Sequence, residues 1–214
     1  MRLVIGDKNL SSWSMRPWLV LKRAGLSFEE VVVRLNRDNT TAEILKWSPT
    51  AQVPCLVLDG GEAIWDSMAI AVWAVEQRPD AGLWPSDPIA RALARSAACE
   101  MHSGFAPLRA EHPMNLALRT RKEPSEAVAK NLRRLVESWG GLRRRFGQGG
   151  AFLFGDWGVV DSFYTPVATR IRSYGLDLAA HGDDGTAQAY VEALLSTPEF
   201  LEWERAALAE AGAP

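Results

Sequence analysis

The chain has 214 residues, 47% of them apolar, and 24 Lys and Arg against 26 Asp and Glu give a formal net charge of -2. That balance argues against nucleic acid as a partner, since proteins that bind it carry a basic excess, and the length admits one large domain or two small ones. Cys55 and Cys99 form no C-x-x-C, and His102, His112 and His181 are scattered, so free thiols in a reducing cytoplasm and no metal are expected.

The N-terminal apolar run, Leu3-Val4-Ile5, is too short for a signal peptide and is interrupted by Asp7. No stretch reaches the roughly 18 apolar residues that cross a bilayer, so no membrane partner is expected. Residues 2–5 read as a strand and Asp7 to Ser12 as a polar loop. Apolar residues at Met15, Trp18, Leu19, Leu21 and Ala24 then give a helix ending at Gly25. Pro17 belongs in a first turn, where no N–H is needed, which predicts a start near Trp13 or Ser14 with a serine cap. Phe28 to Leu35, with the triplet Val31-Val32-Val33, reads as a strand buried on both faces.

Thr41 to Trp47 reads as a short helix stopped by Ser48-Pro49. Val53 to Leu58 is a strand entered through Pro54, Asp59-Gly60-Gly61 a hairpin turn, and Glu62 to Trp65 the returning strand. A helix follows from Ser67. Residues 1–79 therefore read as one βαβαββα domain. The segment from Arg78 to Pro85 is a linker by its prolines and glycine. Everything in 88–214 reads as helical, with spans at 88–111, 123–146, 159–173, 186–195 and 198–210. The expected fold is thus α/β plus all-α.

Three features of the first domain suit a ligand. Ser11-Ser12-Trp13-Ser14 places hydroxyls at a helix N-terminus, which favours an anion, although such serines also serve as plain caps. Gln52-Val53-Pro54 leads into a strand through an X-Pro bond that can be cis. Asp66-Ser67 precedes a helix, with Ser67 as a candidate N-cap. There an acid can pair an ammonium while free N–H groups take a carboxylate.

In this order on this frame, the three features resemble the glutathione transferase superfamily. Ser11 to Leu19 is similar to the serine motif of zeta-like and related bacterial members, Val53-Pro54 to the family's turn, and Asp66-Ser67 to its acid-serine or glutamine-serine pair. The segment Glu100 to Phe105 is similar to a helix segment of bacterial relatives, so the resemblance spans nearly the whole chain. One motif departs: Gly158 stands where the family's capping box has Ser or Thr, with Asp161 retained.

The resemblance implies a thioredoxin-like N-terminal domain, an all-helical C-terminal domain, a homodimer, and glutathione as cosubstrate for attack on a small electrophile. It implies Ser11 as the hydroxyl that holds the thiolate, with Ser12 and Ser14 as alternatives. Arg16 would add positive field, Gln52, Val53 and Pro54 would meet the peptide, and Asp66 and Ser67 the γ-glutamyl end. Trp13 stands where some relatives carry cysteine and would form an apolar wall. Met101, His102 and Phe105 would line the second-substrate pocket. A maleylacetoacetate-type isomerase and a non-catalytic glutathione-binding module stay open as alternatives.

Overall fold

The protein is described here from a computed structural model covering residues 1–212. Strand β1 (Arg2–Gly6) leads to helix α1 (Ser12–Arg23), strand β2 (Glu29–Val33), helix α2 (Thr40–Leu45), strands β3 (Cys55–Val57) and β4 (Ala63–Trp65), and helix α3 (Ser67–Gln77). The sheet order is β2-β1-β3-β4, with β1 and β2 parallel and the other pairs antiparallel. This is the βαβαββα order expected from the sequence. Beyond a 3-10 turn at Pro79–Ala81 come α4 (Pro88–Ser103), α5 (Ala106–Glu111), α6 (Glu126–Phe146), α7 (Val159–Tyr174), α8 (Thr186–Leu195) and α9 (Pro198–Gly212).

Four expectations are corrected. Helix α1 starts at Ser12, capped by Ser11, so Pro17 falls in the second turn and leaves the Trp13 carbonyl without its i+4 donor. Strand β2 is an edge strand rather than one buried on both faces: Val32 is 41% exposed. The single helix expected over 88–111 breaks at Gly104-Phe105. A side chain on Gly104 would meet Glu100 O at 2.6 Å, and Phe105 takes a left-handed φ of 57° that no α-helix continues through. Finally, Asp66 rather than Ser67 caps α3: its Oδ1 accepts the Met68 N–H at 2.7 Å from a backbone with φ 75°.

Two buried helices organise the core. Helix α7 is buried on nearly every side. Its Ser162, Thr165 and Thr169 satisfy their hydroxyls by donating to the Val159, Asp161 and Pro166 carbonyls. It starts at Gly158, whose N–H donates to Asp161 Oδ2 at 2.8 Å, the surviving half of the capping box. Glycine is required there because a Cβ would lie 2.9 Å from Leu83 O. Helix α1 packs against the sheet side, α3, α7 and α9 together. Trp18 and Trp203 meet edge to face at 5.2 Å, and Trp203 Nε1 donates to Lys8 O at 2.9 Å. Lys22–Glu202 and Arg23–Glu199 ion pairs extend this seam. The N-terminus of α1 is thereby fixed between the two halves of the chain, facing both.

Candidate active site

A cavity of about 520 Å³ opens at the start of α1. Three separate turns meet in its walls: Ser11, Ser12 and Trp13 from the α1 start, Gln52, Val53 and Pro54 from the approach to β3, and Asp66 and Ser67 from the β4–α3 corner, with Leu35 and Ile44 adding apolar surface. These are the segments singled out in the sequence. The Val53–Pro54 peptide is cis. Ser67 Oγ is buried with no hydrogen-bond partner among the described residues, and an unpaired hydroxyl on a cavity wall is a group that a polar ligand can satisfy.

The three serines have different surroundings. Ser14 is fully buried and lies outside the cavity walls. Its Oγ accepts the Gly6 N–H at 3.1 Å and the Ser11 hydroxyl at 2.7 Å, so it ties β1 to α1. Ser11 is occupied as the cap: its Oγ accepts the Ser14 N–H while its proton goes to Ser14. Ser12 Oγ accepts from Arg170 Nη2 at 3.3 Å. The Ser11 and Ser12 N–H groups are committed to the Asp7 and Leu10 carbonyls, so fewer backbone donors stay open at this helix end than its sequence suggests.

Behind Trp13 lies a concentration of positive charge. Arg16 is fully buried, its guanidinium stacked on Trp13 at 4.2 Å and near Phe163 at 5.1 Å, and none of its nitrogens has a hydrogen-bond partner among the described residues. Burial, then the charges of Arg170 and Arg109, lower its pKa to about 9, opposed by Asp66. Arg170 is buried too and is lowered to about 10, by burial and then Arg109. Arg109 reaches over Trp13 at 5.3 Å and donates to His102 O. An unpaired buried charge is costly, so this arrangement favours an incoming anion.

His102 sits at the join of the two halves. Its Nε2 lies 3.3 Å from Asp66 Oδ2, and its ring meets the edge of Trp13 at 5.1 Å. Burial lowers its pKa, helped by Arg16 and Arg109 and opposed by Asp66. Met101, by contrast, is fully buried in the core, and Phe105 is nearly so at the α4–α5 break. None of the three lines the cavity, but His102 meets its wall residues Asp66 and Trp13.

Arg170 and Arg109 lie outside every motif that marks the site in the sequence. The available signal is an arginine inside the apolar run from Val167 to Ile171 with no acid within a helical turn. A second cavity, about 400 Å³, lies by the linker among Trp84, Phe146 and Trp157. Of its three carboxylates, Asp87 and Asp161 are spent on helix caps and Asp156 is exposed. Among the described residues, no group of His, Cys, Asp and Glu could hold a metal, and no helix is long and apolar enough to cross a membrane.

Comparison with known proteins agrees with this geometry. The family described as glutathione S-transferase, N-terminal domain, matches residues 10–77. A probable maleylacetoacetate isomerase of Caenorhabditis elegans is 30% identical over 193 residues, covering 89% of this chain and 86% of that protein. A zeta-class glutathione S-transferase of Euphorbia esula is 32% identical over 172 residues, covering 78% of this chain and 76% of its own. Among solved structures, a glutathione transferase homologue from Burkholderia GL BGR1 with bound glutathione superposes with a TM-score of 0.71 at 25% identity, covering 97% of both chains. A cavity built from the α1 start, the cis-proline turn and the Asp66-Ser67 corner, on a chain matched over most of its length, makes this protein a zeta-like member of the glutathione S-transferase superfamily.

Proposed function

We propose that the chain binds glutathione in the 520 Å³ cavity and activates its thiol as thiolate, through a serine hydroxyl at the α1 N-terminus, for addition to a small electrophile. The observation that carries this reading is the convergence of the three turns on one cavity. In this reading Asp66 and Ser67 would meet the γ-glutamyl ammonium and carboxylate, Gln52 and Val53 the peptide, and Ser11 or Ser12 the sulfur; their shared lining of one cavity supports it. A free thiol has a pKa near 8.5, so little thiolate exists at neutral pH. A hydroxyl donating to an anion contributes about 1.5–3 kcal/mol and a helix N-terminus about 0.3–1 kcal/mol. Together these lower the thiol pKa by roughly one to three units. No histidine base is required; the thiol proton leaves to solvent. Pairing as a homodimer, a cytoplasmic location and a detoxifying role are carried into this reading by family resemblance.

A second reading is favoured by the arginines. In a maleylacetoacetate-type isomerase the thiolate adds, a bond rotates, and glutathione leaves unchanged. The substrate carries carboxylates, and Arg16, Arg109 and Arg170 gather positive charge beside the cavity. The relative from C. elegans bears the isomerase name. Glutathione mass balance separates the readings. Conjugation consumes one glutathione per electrophile, whereas isomerisation turns over a cis dicarboxylic enone with no glutathione lost. Binding with neither outcome across a broad electrophile panel would leave a glutathione-binding module.

A further inference from the structure

The motif offers three serines, and the geometry ranks them by where each hydroxyl proton is free to go. Ser14 is sealed from the cavity, and Ser11 directs its proton at Ser14 while accepting the Ser14 N–H. Ser12 differs. Its oxygen already accepts a charged donor, Arg170 Nη2, and its own proton has no acceptor among the described residues. Arg170 is held so that it cannot swing away: Nε donates to His112 O at 3.0 Å and Nη1 to Pro166 O at 2.8 Å. A guanidinium donating to a hydroxyl oxygen polarises the O–H bond and strengthens the bond that the hydroxyl then gives. Ser12 lines the cavity; Arg170 does not, so its influence reaches a ligand through Ser12.

We propose that Ser12, polarised by Arg170, is the hydroxyl donor to the glutathione thiolate, and that Arg170 is a positioning residue acting through it from the helical domain. This rests on the glutathione reading above. The thiol proton goes to solvent, and no bond of the protein is made or broken. The charged and titratable groups that face this point are Arg16 of α1, His102 of α4, Arg109 of α5, His112 after α5, Arg170 of α7 and Asp66 before α3. The arginines favour the thiolate and Asp66 opposes it. Arg16 and Arg109 contribute a background field that survives the loss of Ser12, so removing this one hydroxyl leaves part of the activation in place, whereas Arg170 acts through the Ser12 hydroxyl.

The experiment is a titration of the thiolate absorbance of bound glutathione in the unsubstituted protein and in Ser12→Ala, Ser12→Thr, Ser11→Ala and Arg170→Gln. Ser12→Ala should raise the bound thiol pKa by about one unit, a roughly tenfold fall in the thiolate-to-thiol ratio, and Ser12→Thr should restore it. Ser11→Ala should shift it less. Arg170→Gln should raise it in the parent protein and leave it unmoved in the Ser12→Ala background. If Arg170→Gln impairs folding, the Ser12 and Ser11 comparison decides alone. A shift confined to Ser11→Ala, or an Arg170→Gln shift of equal size in both backgrounds, would overturn the proposal while glutathione binding stands. Failure of the unsubstituted protein to bind glutathione would remove the underlying reading and this proposal with it.

Discussion

Replacing Asp161 by asparagine tests how the α7 cap is balanced. Asp161 is fully buried. Its Oδ1 accepts from Tyr190 Oη at 2.6 Å and Leu153 N at 3.4 Å, and its Oδ2 accepts from Gly158 N at 2.8 Å. Burial pushes its pKa up from 3.8 to about 6, against the opposing pull of those three donors, Tyr190 first. Because the folded value is raised, the folded state binds the proton more tightly than the unfolded one. Stability from this group is therefore greatest below about pH 4 and is lost as pH rises to about 6. At 1.36 kcal/mol per unit, the loss is about 3 kcal/mol. The amide in Asp161→Asn would carry no charge and so no such loss, but its single carbonyl oxygen cannot serve all three donors. With the oxygen at Gly158 and the amide nitrogen at Tyr190, whose hydroxyl can rotate to accept, Leu153 N–H is orphaned at a cost of about 1–3 kcal/mol. Urea denaturation of both proteins from pH 4 to pH 7.5 should show Asp161→Asn clearly destabilised at the acid end. The gap should shrink by about 2 kcal/mol over this range, so that toward neutrality the two proteins become equally stable or the variant the more stable. A gap that is constant across this range would refute the assignment of a strained buried carboxylate, and one that widens would reverse its sign.

Two further substitutions address the site. Ser14→Ala should lower stability by about 1–3 kcal/mol, because it orphans the buried Gly6 N–H and frees the Ser11 hydroxyl; a thermal melt unchanged from the parent would show that this serine does not tie β1 to α1. Arg16→Met replaces an unpaired buried cation with an apolar chain, so the melt should be unchanged or improved. Its KM for a dicarboxylate electrophile should rise severalfold more than for a neutral one, and equal changes for both would detach Arg16 from substrate recognition.

How much of this was legible in the sequence depends on how local each cause is. A serine cap at the start of α1, Pro54 before a strand and Asp66 before a helix are set by neighbours within a few residues, and the three segments were readable in order, though the capping serine itself was not. Their convergence on one cavity was readable only through the family resemblance, since nothing local aims one turn at another. The α4–α5 break was hidden because the apolar pattern runs on through Phe105, and a left-handed phenylalanine has no compositional signature. Edge placement of β2 depends on which strand lies beside it, and Val31-Val32-Val33 looks the same at an edge or in the centre. Arg16 looks like an ordinary helical arginine. Its burial follows from Trp13 and Phe163 closing over it from two different helices, a fact of tertiary packing. The same holds for Arg170 and Ser12, which are far apart in sequence and hydrogen-bonded in space.

The most direct test of the account is calorimetric titration of the purified protein with glutathione, in parallel with an Asp66→Ala variant. The account predicts one site per chain in the unsubstituted protein and a clear loss of affinity when Asp66 is removed from the cavity rim. No heat at millimolar glutathione would contradict it, and so would equal affinity in the two proteins. The first result would leave the fold in place with a different ligand in this cavity; the second would leave glutathione bound elsewhere than at the Asp66-Ser67 corner.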